Sequence, residues 1–582
     1  MKNILETLTE KTKAAFDKCG YELNVAVSVS DRPDLCQYQC NSAFAGAKAY
    51  KKAPFMIADD VAKAMLEDDS ESMFEKVEVV KPGFINITLT DSFIVKFVRS
   101  MAADEHLGVP QAEKPSTIVI DYGGPNVAKP LHIGHLRSAV IGQALKLIAR
   151  EMGNTVIGDI HLGDWGLQIG LVIAELSERH PEWAVFSPDY KDGDEIPTLT
   201  ADMLSEVYPT ASARSKTDEA FRDKAHTATF DLQNRRAGYI ALWQEIMRVS
   251  KTDLRSNYDK LNVDFEYWYG ESDADRDIPE LMEILEKKGL SYESDGALVV
   301  DVAEESDKSP VPPVIVRKSD GSSIYATTDL ATIIQRMRDF APDKIWYVID
   351  NRQELHLTQV SRCAKKAGIV PETTELEFLG FGTMNGTDGK PYKTRDGGVM
   401  RLSDMIGTVT DAALARIQEQ GNVTEDLEDY ARRIGIAAIK FGDLINHRSK
   451  DYIFDLDKFM SSEGKTGVYI LYTISRINSV LKRTEEKGEL NIISTPEERD
   501  LLLAVMNSPM CWKMAFGERA PSYVCENAYT LSNLYSKFYH ENRIADEPDE
   551  SKRKSRIAIS ELARALIIKH LSALGIETVD KM

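Results

Sequence analysis

A chain of 582 residues, 43% hydrophobic and 28% charged, has the bulk for three or four domains and a large buried core. Its net charge of −21 argues against a protein that coats nucleic acid non-specifically, but leaves room for an RNA substrate met by one basic face. Met1–Leu5 opens no apolar run of signal-peptide type, no stretch approaches the roughly 18 apolar residues of a membrane span, and a cytoplasmic protein is expected. Of the six scattered cysteines only Cys36 and Cys40 lie close together, so they read as reduced thiols; no zinc or other metal site is expected.

The predicted elements begin with a helix over Ile4–Cys19 and a strand at Val25–Val29. A small-residue helix near Ala43–Lys51 and two short strands, Val77–Val80 and Ile85–Leu89, complete an α+β unit at 1–112. Gly108–Ser116, with Pro110 and Pro115, reads as a linker. Thr117–Tyr122 is then a short strand of the fully buried kind. It runs through a turn, Gly123–Leu131, into a long helix at about Ile133–Met152, and Val156–Asp159 is the next strand. Strand, turn, helix, strand is a βαβ unit, which predicts a parallel sheet with nucleotide chemistry at its carboxyl edge. This unit occupies 113–190, and a polar helical insertion follows at 191–260. A similar strand, Ile345–Asp350, returns within 261–405, and a connecting helical region covers 406–460. Residues 461–582 read as a helical bundle, with helices near Tyr469–Lys482, Glu497–Met506, Cys525–His540 and Lys554–Leu574 and Gly575 as a stop.

The segment Pro125-Asn126-Val127-Ala128-Lys129-Pro130-Leu131-His132-Ile133-Gly134-His135 stands between a buried strand and a helix. Free backbone N–H groups and the macrodipole make such a helix start an anion site. Two histidines three apart share one side of the first turn and can donate to phosphate oxygens without a fixed charge. Gly134 between them leaves room for an adenine ring against the backbone. Neither a G-x-G-x-x-G fingerprint nor a G-x-x-x-x-G-K-[ST] loop is present, so hydride transfer and P-loop hydrolysis both lose ground.

His132-Ile133-Gly134-His135 resembles the HIGH motif of class I aminoacyl-tRNA synthetases, and further segments narrow the likeness to the arginyl enzymes. Asn126 through Lys129 to Leu136-Arg137-Ser138 is similar to that family's opening, and Gly163-Asp164-Trp165-Gly166-Leu167-Gln168-Ile169-Gly170 to its G-D-W-G-x-Q-x-G segment. Tyr269-Gly270-Glu271-Ser272, Tyr325-Ala326-Thr327-Thr328-Asp329 and Gln353-Glu354-Leu355-His356 follow in the family's order. Glu463–Tyr469 resembles the start of its anticodon-binding bundle, so the likeness spans essentially the whole chain. One stretch departs: where the class carries its KMSKS loop this sequence has Lys390-Pro391-Tyr392-Lys393-Thr394-Arg395, with proline in place of a lysine.

The resemblance implies a multidomain α/β fold: a Rossmann-like parallel-sheet catalytic domain in two halves (113–190 and 261–405), an N-terminal α+β domain that contacts tRNA, and a C-terminal all-α anticodon-binding bundle. It implies ATP-dependent activation of L-arginine to arginyl-adenylate and transfer to the 2′-OH of the terminal adenosine of tRNA(Arg), with Mg²⁺ on ATP and a monomer as the family default. Catalysis is then carried by His132, His135, Lys129 and Lys393, with Lys129 compensating for the altered loop. ATP is held by His132, Gly134, His135, His356, Lys390, Thr394 and Arg395.

A planar guanidinium needs carboxylates that accept two parallel N–H bonds. Tyr325 and Asp329, four apart on a helix start, would face one pocket with Glu271 as a second carboxylate, while Asn126 and Gln353 suit the α-amino and carboxylate end of arginine. Such a polar match removes the need for an editing domain. In the bundle, Tyr469, Tyr472, Arg476, Lys482, Arg483, Tyr535, Tyr539 and Lys552–Lys554 could stack on splayed bases or equally form core. Alternatives are a class I synthetase for another amino acid, a non-catalytic tRNA-binding paralogue and an RNA-free ligase.

Overall fold

A computed structural model describes residues 1–582 except 320, 387, 391–399, 421–425 and 485. Two compact units emerge, one from 113–461 with 574–577 and the other from 1–112, 462–573 and 578–582.

The first unit is built on a four-stranded sheet of β1 (Thr117–Tyr122), β2 (Thr155–Asp159), β3 (Lys344–Val348) and β4 (Glu375–Phe378). Every pairing is parallel and the order is β4-β3-β1-β2. Ile118, Val119 and Ile120 of β1 and Trp346 of β3 are wholly buried, as expected for strands covered on both faces. After β1 the chain forms a 3₁₀ turn, Ile133–His135, and then α1 (Leu136–Glu151), which returns to β2. On the other side α2 (Tyr325–Phe340) precedes β3, and α3 (Glu354–Lys366) connects β3 to β4. The two crossovers leave in opposite directions, so a crevice opens between β1 and β3 at their carboxyl ends, the switch point where such sheets bind ligands. Ser138 of α1 ties the two strand ends together there: its Oγ accepts from Gly123 N (2.8 Å) and donates to Val348 O (2.7 Å).

The expected insertion is helical, with helices at Ala201–Arg214, Glu219–Gln233 and Ala237–Lys260. Not foreseen was a three-stranded antiparallel sheet at Ser291–Ser294, Ala297–Val300 and Val314–Arg317. Its strands are four residues each and the first is polar and largely exposed, too brief for periodicity to register. It covers α2 through Val300, Val314, Val316 and Leu330. Gly575, at φ +63°, ends the last helix as expected, and the four residues 574–577 then join this unit. The wholly buried Lys440 donates to the carbonyls of Gly575 (2.6 Å) and Leu261 (2.9 Å). Burial pushes its ammonium down to about 7.

The second unit joins both ends of the chain. Its antiparallel sheet has the order Val27–Val29, Tyr38–Cys40, Phe84–Leu89, Phe74–Val80. The same unit holds helices at Gly467–Leu481, Pro496–Asn507, Pro509–Glu518, Ser522–Glu541 and Glu550–Ala573. Arg499 donates to the Leu89 carbonyl at 2.6 Å and Tyr38 Oη to Asn507 Oδ1 at 3.2 Å, so sheet and bundle share a boundary. No helix among the described residues is long and apolar enough to cross a membrane.

Candidate active site

The approach to α1 is extended and held from both sides. Val127 N donates to Gly163 O (3.0 Å), and Ala128, at φ +59°, donates to Ser250 Oγ of the insertion (3.1 Å). Ile133 N donates to Met400 O (3.0 Å) and Leu402 N to Leu131 O (2.9 Å). The segment leaving the KMSKS-like stretch is thereby paired with the histidine motif itself. Lys129, next to Ala128, is close enough for its charge to act on both His132 and His135.

The two imidazoles stack at 3.9 Å between ring centres. His132 Nδ1 accepts from Gly134 N (3.1 Å), and His135 Nδ1 accepts from His132 N (3.0 Å). His132 Nδ1, committed as an acceptor, leaves that ring's proton on Nε2, while His135 Nδ1 also lies 3.2 Å from the His132 carbonyl and can accept from His132 N or donate to that oxygen. Burial, with Lys129 adding to it, lowers His132 to about 4. Burial also lowers His135 to about 3, with His132 and Lys129 contributing. Both rings are therefore uncharged at neutral pH. Gly134 has a further reason to be glycine: a Cβ there would lie 2.8 Å from the His132 ring, so the stacked arrangement needs its absence.

The side of the crevice away from the histidine pair is acidic. The segment after β2 pairs with Tyr267–Gly270 in bridges at Asp159↔Tyr267 and Leu162↔Gly270, and Glu271 N donates to Leu162 O (3.0 Å). Glu271 is thus carried beside His161 and Asp164, with only 7% of its surface exposed. Burial raises its carboxyl to about 7, an effect that His161 opposes and that Asp164 and Asp329 reinforce. Tyr325, 57% exposed, lies within electrostatic reach of Glu271 and Asp329, as the i, i+4 spacing on a helix start predicted. Tyr208 of the insertion is the neighbour that sequence did not suggest.

Two expected sets meet at Asp329. His356, expected beside ATP, places Nε2 2.5 Å from Asp329 Oδ2, so both belong to one cluster. Asn126 and Gln353 are exposed beyond the ends of adjacent strands β1 and β3. A Cβ on Gly163 would stand 2.1 Å from Asn126 Oδ1, so a larger residue there would displace the Asn126 side chain. Lys390 is exposed in a turn where its own N–H reaches Asp388 Oδ1 (3.1 Å). Lys393, Thr394 and Arg395 lie outside the described residues.

Beneath the pocket Arg336 of α2 is wholly buried and donates from Nη2 to Asp121 of β1 and Asp159 of β2, both at 2.7 Å. Tyr325, Asp329 and Arg336 occupy i, i+4 and i+11 on one stripe of α2, so the triad that docks the helix also orients the pocket. Sequence reasoning missed Arg336, His161 and Ser250. Only the stripe spacing could have signalled Arg336; the other two depend on contacts between distant segments. The motif residue Asp164 accepts from Ser272 N (3.0 Å) and from Ser272 Oγ (2.6 Å), while its carbonyl takes Trp243 Nε1–H (2.9 Å), so it serves the pocket wall.

A parallel sheet with an anion-ready helix start at its switch point, a neutral histidine pair on that start and an acidic cleft beside it are the construction of class I tRNA synthetases. Residues 97–456 match the family "tRNA synthetases class I (R), catalytic domain", 2–89 the "Arginyl tRNA synthetase N terminal domain" and 470–582 the "DALR anticodon binding domain". Arginine–tRNA ligases of Agathobacter rectalis and Alkaliphilus oremlandii are 48% and 46% identical, each aligned over 100% of both chains. The chain belongs to the arginyl-tRNA synthetase family. Its fold is shared with the arginyl-tRNA synthetases of Plasmodium falciparum (TM-score 0.81, 22% identity) and Thermus thermophilus (TM-score 0.80, 21% identity), both covered in full.

Proposed function

We propose that this chain activates L-arginine with ATP and transfers it to tRNA(Arg), and that the residues just described divide the work. In the first step a carboxylate oxygen of arginine attacks the α-phosphorus of ATP in line, the bond to the bridging oxygen breaks, and pyrophosphate leaves. In the second the 2′-hydroxyl of the terminal adenosine attacks the acyl carbon, its proton is lost, and AMP leaves. Neither step requires a covalent bond to the protein, so positioning and charge neutralisation carry the catalysis.

His132 and His135 donate from Nε2 to phosphate oxygens where α1 begins, and Lys129 supplies the fixed positive charge beside them. Mg²⁺ enters with ATP, neutralising its outer phosphates. Lys393, Thr394 and Arg395 are assigned to the pyrophosphate end, and Gly134 to the adenine side. Glu271 and Asp329 receive the guanidinium with Tyr325 alongside, His356 holds Asp329, and Asn126 and Gln353 take the α-amino and carboxylate groups.

The tRNA is read by the unit that joins both chain ends. Tyr472 is 41% exposed, and Arg476 lies 4.9 Å from its ring and 5.2 Å from that of Tyr539, a surface suited to stacking bases. Tyr535 is wholly buried and belongs to the core.

The observation that carries this reading is the acidic pocket of Glu271, Asp329 and Tyr325 on the same sheet edge as the neutral histidine pair. ATP–pyrophosphate exchange with arginine, run with and without total tRNA and with lysine as control, tests it. Exchange with arginine alone among the amino acids is expected. No exchange in either condition would identify a non-catalytic paralogue, and exchange with lysine would overturn the guanidinium pocket.

A further inference from the structure

The histidine motif is paired along one side with the segment Met400–Leu402. Ile133 N donates to Met400 O (3.0 Å) and Leu402 N to Leu131 O (2.9 Å), so His132 and Arg401 stand opposite each other in an antiparallel bridge. These bonds flank the His132–Arg401 pair, and neither residue spends its own N–H on the other. His132 N thereby lies 3.0 Å from His135 Nδ1, the contact that closes the histidine pair. Any displacement of Met400–Leu402 from Leu131–Ile133 must therefore move the backbone from which the His132 imidazole projects.

The insertion holds Met400–Leu402 in turn. Arg401 is an exposed residue whose guanidinium crosses to the helix Ala201–Arg214 and donates from Nη2 to Ser205 Oγ at 3.2 Å. A cavity of about 160 Å³ lies between the motif and the insertion, and Lys129, Ser205, Ser250, Asp253 and Arg401 all line it. Ser250 and Asp253, three apart on the helix Ala237–Lys260, share one face. Ser250 Oγ takes the Ala128 N–H (3.1 Å) on the approach to the motif. Burial works against the charge of Asp253 and Asp202 adds to that, while Arg401 is the foremost cation in its favour, ahead of Lys260. One helix face thus meets the motif twice, directly at Ala128 and through Arg401 on the far side of His132.

We propose that Arg401 is a positioning residue of the phosphate end: by reaching Ser205 across the cavity, beside Asp253, it fastens the segment opposite His132 to the insertion and so fixes where the histidine pair meets ATP. Arg401 acts through the His132 backbone and touches no reacting atom. The inference rests on the reading of the histidine pair as the phosphate site and gives that site an anchor in the insertion. Arginine suits the task because its fork can bond a hydroxyl with one nitrogen while the others face a carboxylate, and its charge persists at any working pH. Lysine keeps the reach and the charge, whereas glutamine keeps neither.

Calorimetric binding of ATP to the full chain tests this without depending on which amino acid is activated. Arg401→Gln should weaken ATP about tenfold, the scale expected when a binding group is misplaced rather than removed. Arg401→Lys should recover most of that affinity. Ser205→Ala should weaken ATP by about threefold alone and add nothing in the Arg401→Gln background, because both act through one contact. In pyrophosphate exchange the KM for ATP should follow the same order, with the KM for arginine unchanged. Unaltered ATP binding in Arg401→Gln would overturn the proposal. A loss in Arg401→Gln with Ser205→Ala silent, or additive losses in the double variant, would also overturn it and place Arg401 against the nucleotide itself. Should Arg401→Gln fail to fold, Ser205→Ala and Asp253→Asn carry the test: both should weaken ATP, and normal binding in both would refute the anchor. ATP binding by wild type without any arginine-dependent exchange would instead refute the parent reading and leave the comparison of ATP affinities standing.

Discussion

The phosphate end and the amino-acid end of this crevice are shaped by the same force with opposite consequences. Burial removes the charge from His132 and His135, which fits the role proposed for them: a neutral imidazole can donate to phosphate without adding a fixed cation, with Lys129 as the charge beside the pair. Burial also works against the charge of Glu271, which the proposed guanidinium pocket requires. One end can be left to desolvation. The other needs neighbours that oppose it, and the dense network of Arg336, Ser272 and His356 around Asp121, Asp159, Asp164 and Asp329 is the structural outcome.

Breaking that network should have the largest effect. Arg336→Met leaves Asp121 and Asp159 buried without their cation, and about 3–5 kcal/mol of stability should be lost in denaturant titration of the full chain. Restoring charge balance with Asp159→Asn in the same chain should recover part of it. Next in size, His135→Ala removes a donor aimed at developing phosphate charge; kcat in pyrophosphate exchange should fall by about 10²–10³. His135→Asn, which keeps a side-chain N–H, should retain more activity. Asp329→Asn should lower kcat/KM for arginine by about 10², because a charge-assisted acceptor is lost.

A smaller effect is expected at the Lys440 clasp, where the comparison can be sharpened away from the site. Its ammonium is lowered to about 7 in the folded chain. Between that value and its unfolded range near 10.4 the unfolded state binds more protons, so stability should rise with pH across the window. Thermal denaturation at pH 7 and 9 should show this rise in wild type and not in Lys440→Met.

The sequence made the phosphate end plain because its parts are consecutive: a buried strand, a turn and two histidines one turn apart state their own geometry. Tyr325 and Asp329 were equally legible, since helical spacing places them together. His161 was invisible for the opposite reason. Its significance arises only when the segment after β2 bridges to Gly270, more than a hundred positions later. Arg336 likewise looks like any helix arginine until α2 is docked over β1 and β2. The union of the chain's two ends in one unit depends on contacts such as Arg499 with Leu89, which no periodicity encodes.

The most direct test of the division between the two ends is to measure KM for ATP and KM for arginine separately in His135→Asn and Asp329→Asn by pyrophosphate exchange. A clean split is expected: the first variant shifts ATP and leaves arginine nearly unchanged, and the second does the reverse. Equal shifts of both constants in both variants would contradict it, because the histidine pair and the acidic pocket would then be parts of a single undivided site.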